Sequence, residues 1–248
     1  MDRIIEQIAR ELGKEPRHVE NVVRLMDEGN TIPFIARYRK ELHGAMDDTA
    51  LRTLADRLQY LRNLDKRREE VKSAIEGQGK LTEELSAAID AAATLAEVED
   101  LYRPYRQKRR TRATVAREKG LEPLAELLFA QAADGPAPEE AAGAFVDPEK
   151  GVETAEDALQ GASDIIAERI SDDADIRKRL RELVWKKGYL VSAAAAKEPE
   201  DTVYRLYYAF RSPLNRVQGH QVLAINRGER EEKLKVSVEL DRELALRT

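Results

Sequence analysis

Residues 48–75 read DTALRTLADRLQYLRNLDKRREEVKSAI, and this stretch decides the fold class. Its leucines recur every three or four residues, which is the spacing of one face of an α-helix. They are Leu51, Leu54, Leu58, Leu61 and Leu64. Asp47 or Asp48 supplies an N-terminal cap, and Gly77 follows the last apolar position. We therefore predict one long helix with a buried leucine face.

The composition extends the helical prediction to most of the chain. Hydrophobic residues make up 42% of the 248 residues, charged residues 36% and aromatic residues 5%, a mixture that favours amphipathic helices over sheets. Gly13 separates two stretches of helical periodicity and Pro16 opens the second, which predicts a helix-turn-helix-like pair. Thr94 has Glu97 three residues later, which is the pattern of a capping box, and Thr154 with Asp157 is expected to mark a further helix start.

Two stretches are predicted to connect helices. Pro33 prevents direct continuation of the second helix, so residues 31–38 (TIPFIARY) should begin as a buried connector. Residues 133–140 (ADGPAPEE) are typical of a surface loop. Farther on, Ser171 precedes three aspartates and is expected to mark the start of another helix.

The tail of the sequence changes in character. Residues 189–192 and 234–240 alternate apolar and polar positions as strands do, and residues 220–227 are predicted to form one more helix. We therefore predict a mainly α chain. It is a multi-helix scaffold with an N-terminal helix-turn-helix-like pair and a small α+β tail.

This pattern predicts two domains. Residues 1–200 form the helical region, in which residues 1–70 hold the helix-turn-helix-like entry and the start of the long helix, and residues 71–200 hold the central helices. Residues 201–248 form the α+β tail, which we expect to be truncated.

The sequence excludes thiol chemistry and carries no targeting signal. It has no cysteine, so disulfides, thiolate nucleophiles and thiolate metal sites are ruled out, which fits a reducing compartment. Acidic residues interrupt the apolar positions of the N-terminus, unlike a signal or transit peptide. No apolar run approaches the roughly 20 residues of a membrane span. We expect a soluble, cytoplasmic protein.

Motifs that suggest ligand chemistry are explained by ordinary helix ends. Residues 77–80 (GQGK) lack the earlier glycine and the following Ser or Thr of a phosphate-binding loop. The aspartates of residues 172–175 suit the positive end of a helix better than a metal site. The histidines show no ligand spacing. They are His18, His43 and His220. We expect no enzyme activity, no metal site and no cofactor.

Basic charge is concentrated in residues 101–119, which we call the basic segment. It has eight Lys or Arg and one acid, a net charge of +7 in a chain that totals −5. Arginine fits phosphate bidentately and tyrosine stacks on unpaired bases. The alternative is a solvated charge run, or arginines paired with acids elsewhere in the chain.

The candidate nucleic-acid-binding residues are Tyr102, Arg103, Tyr105, Arg106, Lys108, Arg109, Arg110 and Arg112. Candidates to extend this surface are Lys40, Arg67 and Arg68.

Four long blocks carry a family resemblance that covers nearly the whole chain. They are residues 31–48 (TIPFIARYRKELHGAMDD), 54–85 (LADRLQYLRNLDKRREEVKSAIEGQGKLTEEL), 99–128 (EDLYRPYRQKRRTRATVAREKGLEPLAELL) and 157–183 (DALQGASDIIAERISDDADIRKRLREL). Together they resemble the Tex family of bacterial transcription accessory proteins. The resemblance implies a helical scaffold that, in full-length relatives, precedes an RNase-H-like domain, helix-hairpin-helix motifs and a C-terminal OB-fold that binds RNA.

Two functions remain open from the sequence. The first is a nucleic-acid-binding scaffold in transcription that contacts RNA or DNA backbones without reading base sequence. The second is a protein-interaction scaffold that contacts RNA polymerase, ribosome-associated machinery or other domains, with the arginines in internal ion pairs. The two hypotheses differ in whether the arginines of the basic segment are available to phosphate.

Overall fold

The first two helices are joined by a tight turn at Gly13. The structure is a computed structural model, and it describes residues 2–107, 109–132, 135–196 and 202–247. Helix α1 spans Arg3–Leu12 and helix α2 spans Pro16–Asp27. The Asp2 side chain caps α1, and Gly13 ends it with a left-handed φ of 62°. The predicted helix-turn-helix-like pair is confirmed.

The chain divides into two units, and the first comprises Met1–Tyr105. Its longest helix begins after Asp47, whose side chain accepts a hydrogen bond from the Ala50 amide at 2.7 Å. The long helix and its cap agree with the prediction. After α2, the helices of this unit are α3 (Ile32–Tyr38), α4 (Asp48–Glu76), α5 (Glu83–Ala91) and α6 (Leu95–Tyr102).

The leucine face of α4 forms the centre of the core of the first unit. All five predicted leucines are at most 3% exposed, and α4 packs against every other helix of the unit. Each buried leucine side chain contributes roughly 1.5–3 kcal/mol relative to its exposure to water. The periodicity of α4 therefore organises the whole unit.

Helix α3 differs from the prediction for residues 31–38. Thr31 lies at the N-cap position, and Pro33 lies in the first turn of a helix that continues to Tyr38. The expected connector is wrong because a proline in the first helical turn lacks only an amide that has no intrahelical partner there. Ile35 of this helix is fully buried.

Two arginines of α4 form ion pairs with the first two helices. Arg57 binds Glu11 of α1 with N–O distances of 2.6 and 2.7 Å, and Arg62 binds Asp27 of α2 at 2.7 and 2.8 Å. The guanidinium groups lower the pKa of both carboxyls. Since all four side chains are 31–49% exposed, solvent screening keeps each contribution modest.

The second unit comprises Arg106–Thr248. It combines helices with a small sheet. Its helices are α7 (Arg112–Glu118), α8 (Glu122–Ala130), α9 (Pro138–Gly143), α10 (Ala155–Asp172), α11 (Ala174–Lys187), α12 (Gly219–Arg230) and α13 (Arg242–Leu246). Its strands are β1 (Tyr189–Ala194), β2 (Ala209–Pro213) and β3 (Leu234–Glu239).

Small residues allow α10 to pack closely against α7, α8 and α9. Ala116, Ala158 and Ala162 are almost fully buried at this contact. At Gly161, an added Cβ would lie 2.3 Å from Leu121 Cδ1 and 3.3 Å from Ala116 Cβ. A larger side chain at this position would force Leu121 to move within the core.

The three strands form an antiparallel sheet in the order β2-β1-β3. Leu190 of the central strand pairs with Ser212 on one side and Val238 on the other. The prediction found β1, β3 and α12 but missed β2. This strand has only five residues, AFRSP, and lies between two 3₁₀ turns, so it lacks the length that makes alternation visible.

Two predicted element boundaries require correction. Helix α9 begins at Pro138, inside the predicted loop of residues 133–140, because proline is favoured in the first helical turn. Ala133 and Asp134 lie outside the described residues. Helix α10 continues past Ser171, and Asp173 caps α11 by accepting a hydrogen bond from the Ile176 amide at 2.8 Å.

The described elements confirm a mainly α chain with a small α+β tail. Thr94 forms the predicted capping box, and Thr154, predicted as a helix start, caps α10 with a second capping box. A domain boundary at residue 200 stays a prediction, and the sheet joins β1, before that position, to two strands after it. None of the helices in the described ranges has the length and apolar character needed to cross a membrane.

Candidate nucleic-acid interface

The basic segment begins on a helix end and continues to the next helix. It includes the last turn of α6, a 3₁₀ turn at Arg103–Tyr105, an irregular stretch and helix α7. Thr111 caps α7 by accepting a hydrogen bond from the Thr114 amide at 3.1 Å. The division between the two units falls within this segment, so its two parts are described separately.

In the first unit, the two candidate tyrosines pack against the core. Tyr102 and Tyr105 are half-buried. The Arg67 guanidinium lies 5.5 Å from the centre of the Tyr102 ring, and the Tyr105 carbonyl accepts a hydrogen bond from the Gln78 side chain at 2.9 Å. Arg103 between them is also half-buried. Base stacking by these tyrosines stays a prediction, and their rings have a structural role as well.

In the second unit, the candidate arginines face solvent. Arg106 and Arg109 are exposed. Within the part of the chain that the structure describes, Arg109 has no hydrogen-bond or ion-pair partner. Arg112 is 87% exposed, and its Nε lies 3.9 Å from Asp164 Oδ1, which is a long contact. Lys108 lies outside the described residues.

Arg110 has a close carboxylate partner. Its Nη2 lies 2.7 Å from Oε2 of Glu118, and the two side chains are 69% and 53% exposed. Exposed pairs of this kind contribute at most about 1 kcal/mol. Phosphate therefore has little to displace at Arg110.

The last two cations of the segment are used inside the fold. Arg117 Nη1 lies 2.7 Å from Glu168 Oε2, and this hydrogen bond is the main cause of the raised pKa of Arg117. Lys119 Nζ donates to the Gly151 carbonyl at 2.6 Å. The sequence does not distinguish these two residues from the exposed arginines, because Glu168 is 51 residues away from Arg117.

A cleft of about 400 Å³ lies beside the exposed arginines, between α7 and α10. Arg110, Arg112 and Lys119 line it, but so do Asp157 and Asp164. The Thr154 hydroxyl donates a hydrogen bond to Asp157 and lowers the pKa of its carboxyl. The carboxylates in the lining would repel an isolated phosphate in the cleft. The exposed arginines beside the cleft are therefore the stronger candidates for binding phosphate.

The residues considered as an extension of the surface have different environments. Lys40 is exposed. Arg67 is 29% exposed and binds Glu99 at 2.6 Å. Arg68 is buried, and its Nη2 donates to the Ala92 carbonyl at 2.6 Å. Arg68 is therefore wrong as a surface residue, because it lies on the buried face of α4 and binds the end of α5.

The remaining sequence motifs occupy ordinary structural positions. Gly77 lies at the C-terminal end of α4, so residues 77–80 begin at a helix end, as predicted, and not in a phosphate-binding loop. Among the described residues, no three His, Cys, Asp or Glu side chains come together as a metal site would require. His43 is buried, His18 is partly buried and His220 is exposed.

Comparisons with known proteins agree with this architecture. The family model described as the Tex-like protein N-terminal domain matches residues 2–76, and the model described as Tex central region-like matches residues 134–247. The chain belongs to the Tex family. The basic segment lies between the two matched regions, whereas α11 and the sheet lie within the second.

Members of the Tex family match this chain over nearly its whole length. It is 45% identical to Protein tex of Bordetella pertussis over 99% of the chain, and 39% identical to the Transcriptional accessory protein Tex of Neisseria gonorrhoeae over 93%. The human S1 RNA-binding domain-containing protein 1 is 31% identical over 96% of the chain. The chain spans 31%, 30% and 24% of these proteins, respectively.

Proposed function

We propose that this chain is the nucleic-acid-binding scaffold region of a cytoplasmic bacterial transcription accessory factor. It contacts RNA or DNA backbones without reading base sequence, and it performs no catalysis. The names of its relatives, which include a transcriptional accessory protein and an S1 RNA-binding domain-containing protein, support this general assignment.

The observation that carries the proposal is the exposure of Arg109, Arg110 and Arg112. Their charges face solvent in a chain of net charge −5, and their contacts within the fold are absent, surface-exposed or long among the described residues. Guanidinium groups bind phosphate oxygens bidentately and release condensed counterions from the polyanion. This chemistry gives affinity without base specificity.

The test is a fluorescence-anisotropy titration of the chain with labelled single-stranded RNA and duplex DNA, between roughly 50 and 200 mM salt. The expected result is binding that weakens steeply with salt. In the Arg109→Ala/Arg110→Ala variant, each lost phosphate contact should reduce the magnitude of the log–log salt slope by about 0.7 to 0.9. Its melting temperature should stay within a few degrees of the parent, as is usual for surface substitutions.

The matched control is Arg10→Ala/Lys14→Ala, which removes two exposed charges from the first unit. Its binding and salt slope should stay close to those of the parent chain. Absence of binding at the lowest salt would overturn the proposal, and so would equal losses in the two double variants. Destabilisation by the Arg109/Arg110 change would indicate internal ion pairing instead.

A protein-interaction scaffold is the second candidate function, with RNA polymerase or ribosome-associated machinery as the partner. It is favoured by the internal pairing of Arg117 and Lys119, which shows that part of the basic charge serves the fold. In that case, pull-down of purified RNA polymerase by the chain should persist after nuclease treatment. Loss of the interaction on nuclease treatment would favour the first function.

A further inference from the structure

Helix α11 has a cationic, solvent-facing surface that is separate from the basic segment. Its 14 residues, ADIRKRLRELVWKK, include six Lys or Arg and two acids, a net charge of +4. None of its residues is fully buried, and its apolar positions are only partly covered. The helix therefore presents much of its circumference to solvent.

An exposed tryptophan lies on this cationic surface. Trp185 is 61% exposed and is the only tryptophan of the chain. An indole ring buries a large apolar area when a partner covers it, and tryptophan is enriched at interfaces. The helical repeat places Arg181, four residues before Trp185, and Lys178, seven residues before it, on the same side of the helix as the indole ring. An apolar ring lies among cationic groups.

We propose that the exposed face of α11 binds single-stranded nucleic acid, with Trp185 stacking on an unpaired base and neighbouring cations contacting the phosphates. A single strand alternates flat rings with negative charges, and the helix offers the complementary alternation of indole and cations. An acidic peptide supplies charge without the stacking partner. A duplex keeps its bases paired and out of reach of the ring.

The cations assigned to phosphate are Arg179 and Lys186. Within the described part of the chain, Arg179 has no ion-pair or hydrogen-bond partner. Lys186 Nζ lies 3.8 Å from Glu182 Oε2, with both side chains more than half exposed. Arg179 and Lys186 are seven residues apart, which is about 10 Å along a helix. Both cations lie on one side of the helix, about 100–120° around the axis from Trp185, so they contact the phosphates of a strand that runs beside the ring.

The site on α11 is independent of the function proposed for the basic segment. It uses different residues of the second unit, and its aromatic group is exposed, whereas Tyr102 and Tyr105 pack against a core. It also has its own signal. Because Trp185 is the only tryptophan, its emission reports directly on events at α11.

The test is a titration of the tryptophan emission of the whole chain with an oligouridylate of about 10 nucleotides. The expected result is quenching that reverses with salt. Polyphosphate, which lacks bases, and polyglutamate, which represents an acidic peptide, should leave the emission nearly unchanged. The Arg109→Ala/Arg110→Ala variant should still show the quenching, so failure of one site is distinguishable from failure of the other.

Variants complete the test with a labelled oligouridylate and anisotropy. In the Arg109→Ala/Arg110→Ala background, Trp185→Ala should bind about tenfold more weakly, while Trp185→Phe should recover part of the loss because it retains an aromatic face. Leu206→Ala is the matched control, since Leu206 is 84% exposed in the same unit, and it should bind normally. Circular dichroism should show the parent helix content for all three.

Three outcomes would overturn the proposal. They are the absence of quenching by the oligouridylate, equal quenching by polyphosphate, and equal affinities of Trp185→Ala and Leu206→Ala. Quenching by polyglutamate alone would instead assign the face of α11 to an acidic protein partner.

Discussion

Arg117 of α7 and Glu168 of α10 form an ion pair with a distance of 2.7 Å between Nη1 and Oε2. The other oxygen of the same carboxylate lies 3.0 Å from the Thr111 hydroxyl, which caps α7. Only 16% of the Glu168 side chain is exposed. One carboxylate of α10 therefore fixes both ends of the short helix that follows the exposed arginines Arg109 and Arg110.

Replacement of this carboxylate should destabilise the second unit. Glu168→Gln removes the charge that binds Arg117, and we expect a loss of about 1–2 kcal/mol in the free energy of unfolding. Urea denaturation followed by circular dichroism measures this loss. Glu126→Gln, which removes a 61%-exposed carboxylate paired with Arg169, should change the same quantity by at most about 0.5 kcal/mol. Similar losses in both variants would contradict the assigned role of Glu168.

Removal of the carboxylate beside Arg110 should strengthen nucleic-acid binding. Glu118→Gln frees Arg110 from its 2.7 Å ion pair and also removes one negative charge. Because such exposed pairs contribute up to about 1 kcal/mol, the affinity for RNA should rise by about two- to fivefold. Anisotropy titration at low salt measures the change. The same charge change at Glu126 is the control, and an equal gain there would mean that net charge alone accounts for the effect.

The ion pairs of α4 should make the first unit sensitive to acid. Arg57 and Arg62 hold the pKa of Glu11 and Asp27 below their ordinary values of 4.5 and 3.8. A carboxyl whose pKa is lowered by folding stabilises the folded state at every pH above its ordinary pKa. This stabilisation is lost as the pH falls through the lowered pKa. The fold should therefore weaken below about pH 4.5.

The comparison that tests this acid sensitivity uses Arg57→Gln/Arg62→Gln. Urea midpoints measured from pH 7 to pH 3 should decline less steeply below about pH 4.5 in this variant than in the parent chain. Lys66→Gln serves as the control, because Lys66 is 78% exposed and its Nζ lies as far as 3.9 Å from the Glu70 carboxylate. It should follow the pH profile of the parent. A double variant that also follows that profile would show that solvent screens both ion pairs completely.

A methyl group at Gly161 should disturb the contact between α10 and its neighbours. In Gly161→Ala the new Cβ would meet Leu121, which is itself 1% exposed and enclosed by the core. The expected cost is about 1–3 kcal/mol of stability, despite the better helix propensity of alanine. Thermal denaturation measures the cost, and Gly143→Ala, with open space around the added Cβ, should be close to neutral. Equal melting temperatures for the two variants would rule out tight packing at Gly161.

Local patterns predicted most of the helices. The sequence displays features that are set by neighbours within one or two turns. They are the leucine repeat of α4, the capping box at Thr94, the helix start at Thr154 and the glycine after α1. Residues 31–38 were predicted as a connector because proline prevents the continuation of a helix. Proline is also favoured in the first turn of a helix, and Pro33 lies in the first turn of α3.

The environment of the site could not be predicted in the same way. The sequence marks where basic residues concentrate, but it does not show that Arg117 has an acidic partner on α10 while Arg109 has none among the described residues. Such partners come from residues that are distant along the chain. Trp185 was not singled out from the sequence because a single aromatic residue near the end of a helix has no periodic signal, and only the structure shows that it is exposed.

The order of the sheet has a consequence for biosynthesis. Strand β1 is central, and its ladder with β3 pairs Leu190 with Val238, which is 48 residues later in the chain. This ladder cannot form until β3 has been synthesised. Contacts of long range along the chain close slowly, and domains emerge from the ribosome in order from the N-terminus. During translation the helices of the first unit are complete well before this sheet, and one edge of β1 stays unpaired until β3 has emerged. Chaperone binding to the nascent chain is therefore expected to concentrate on β1.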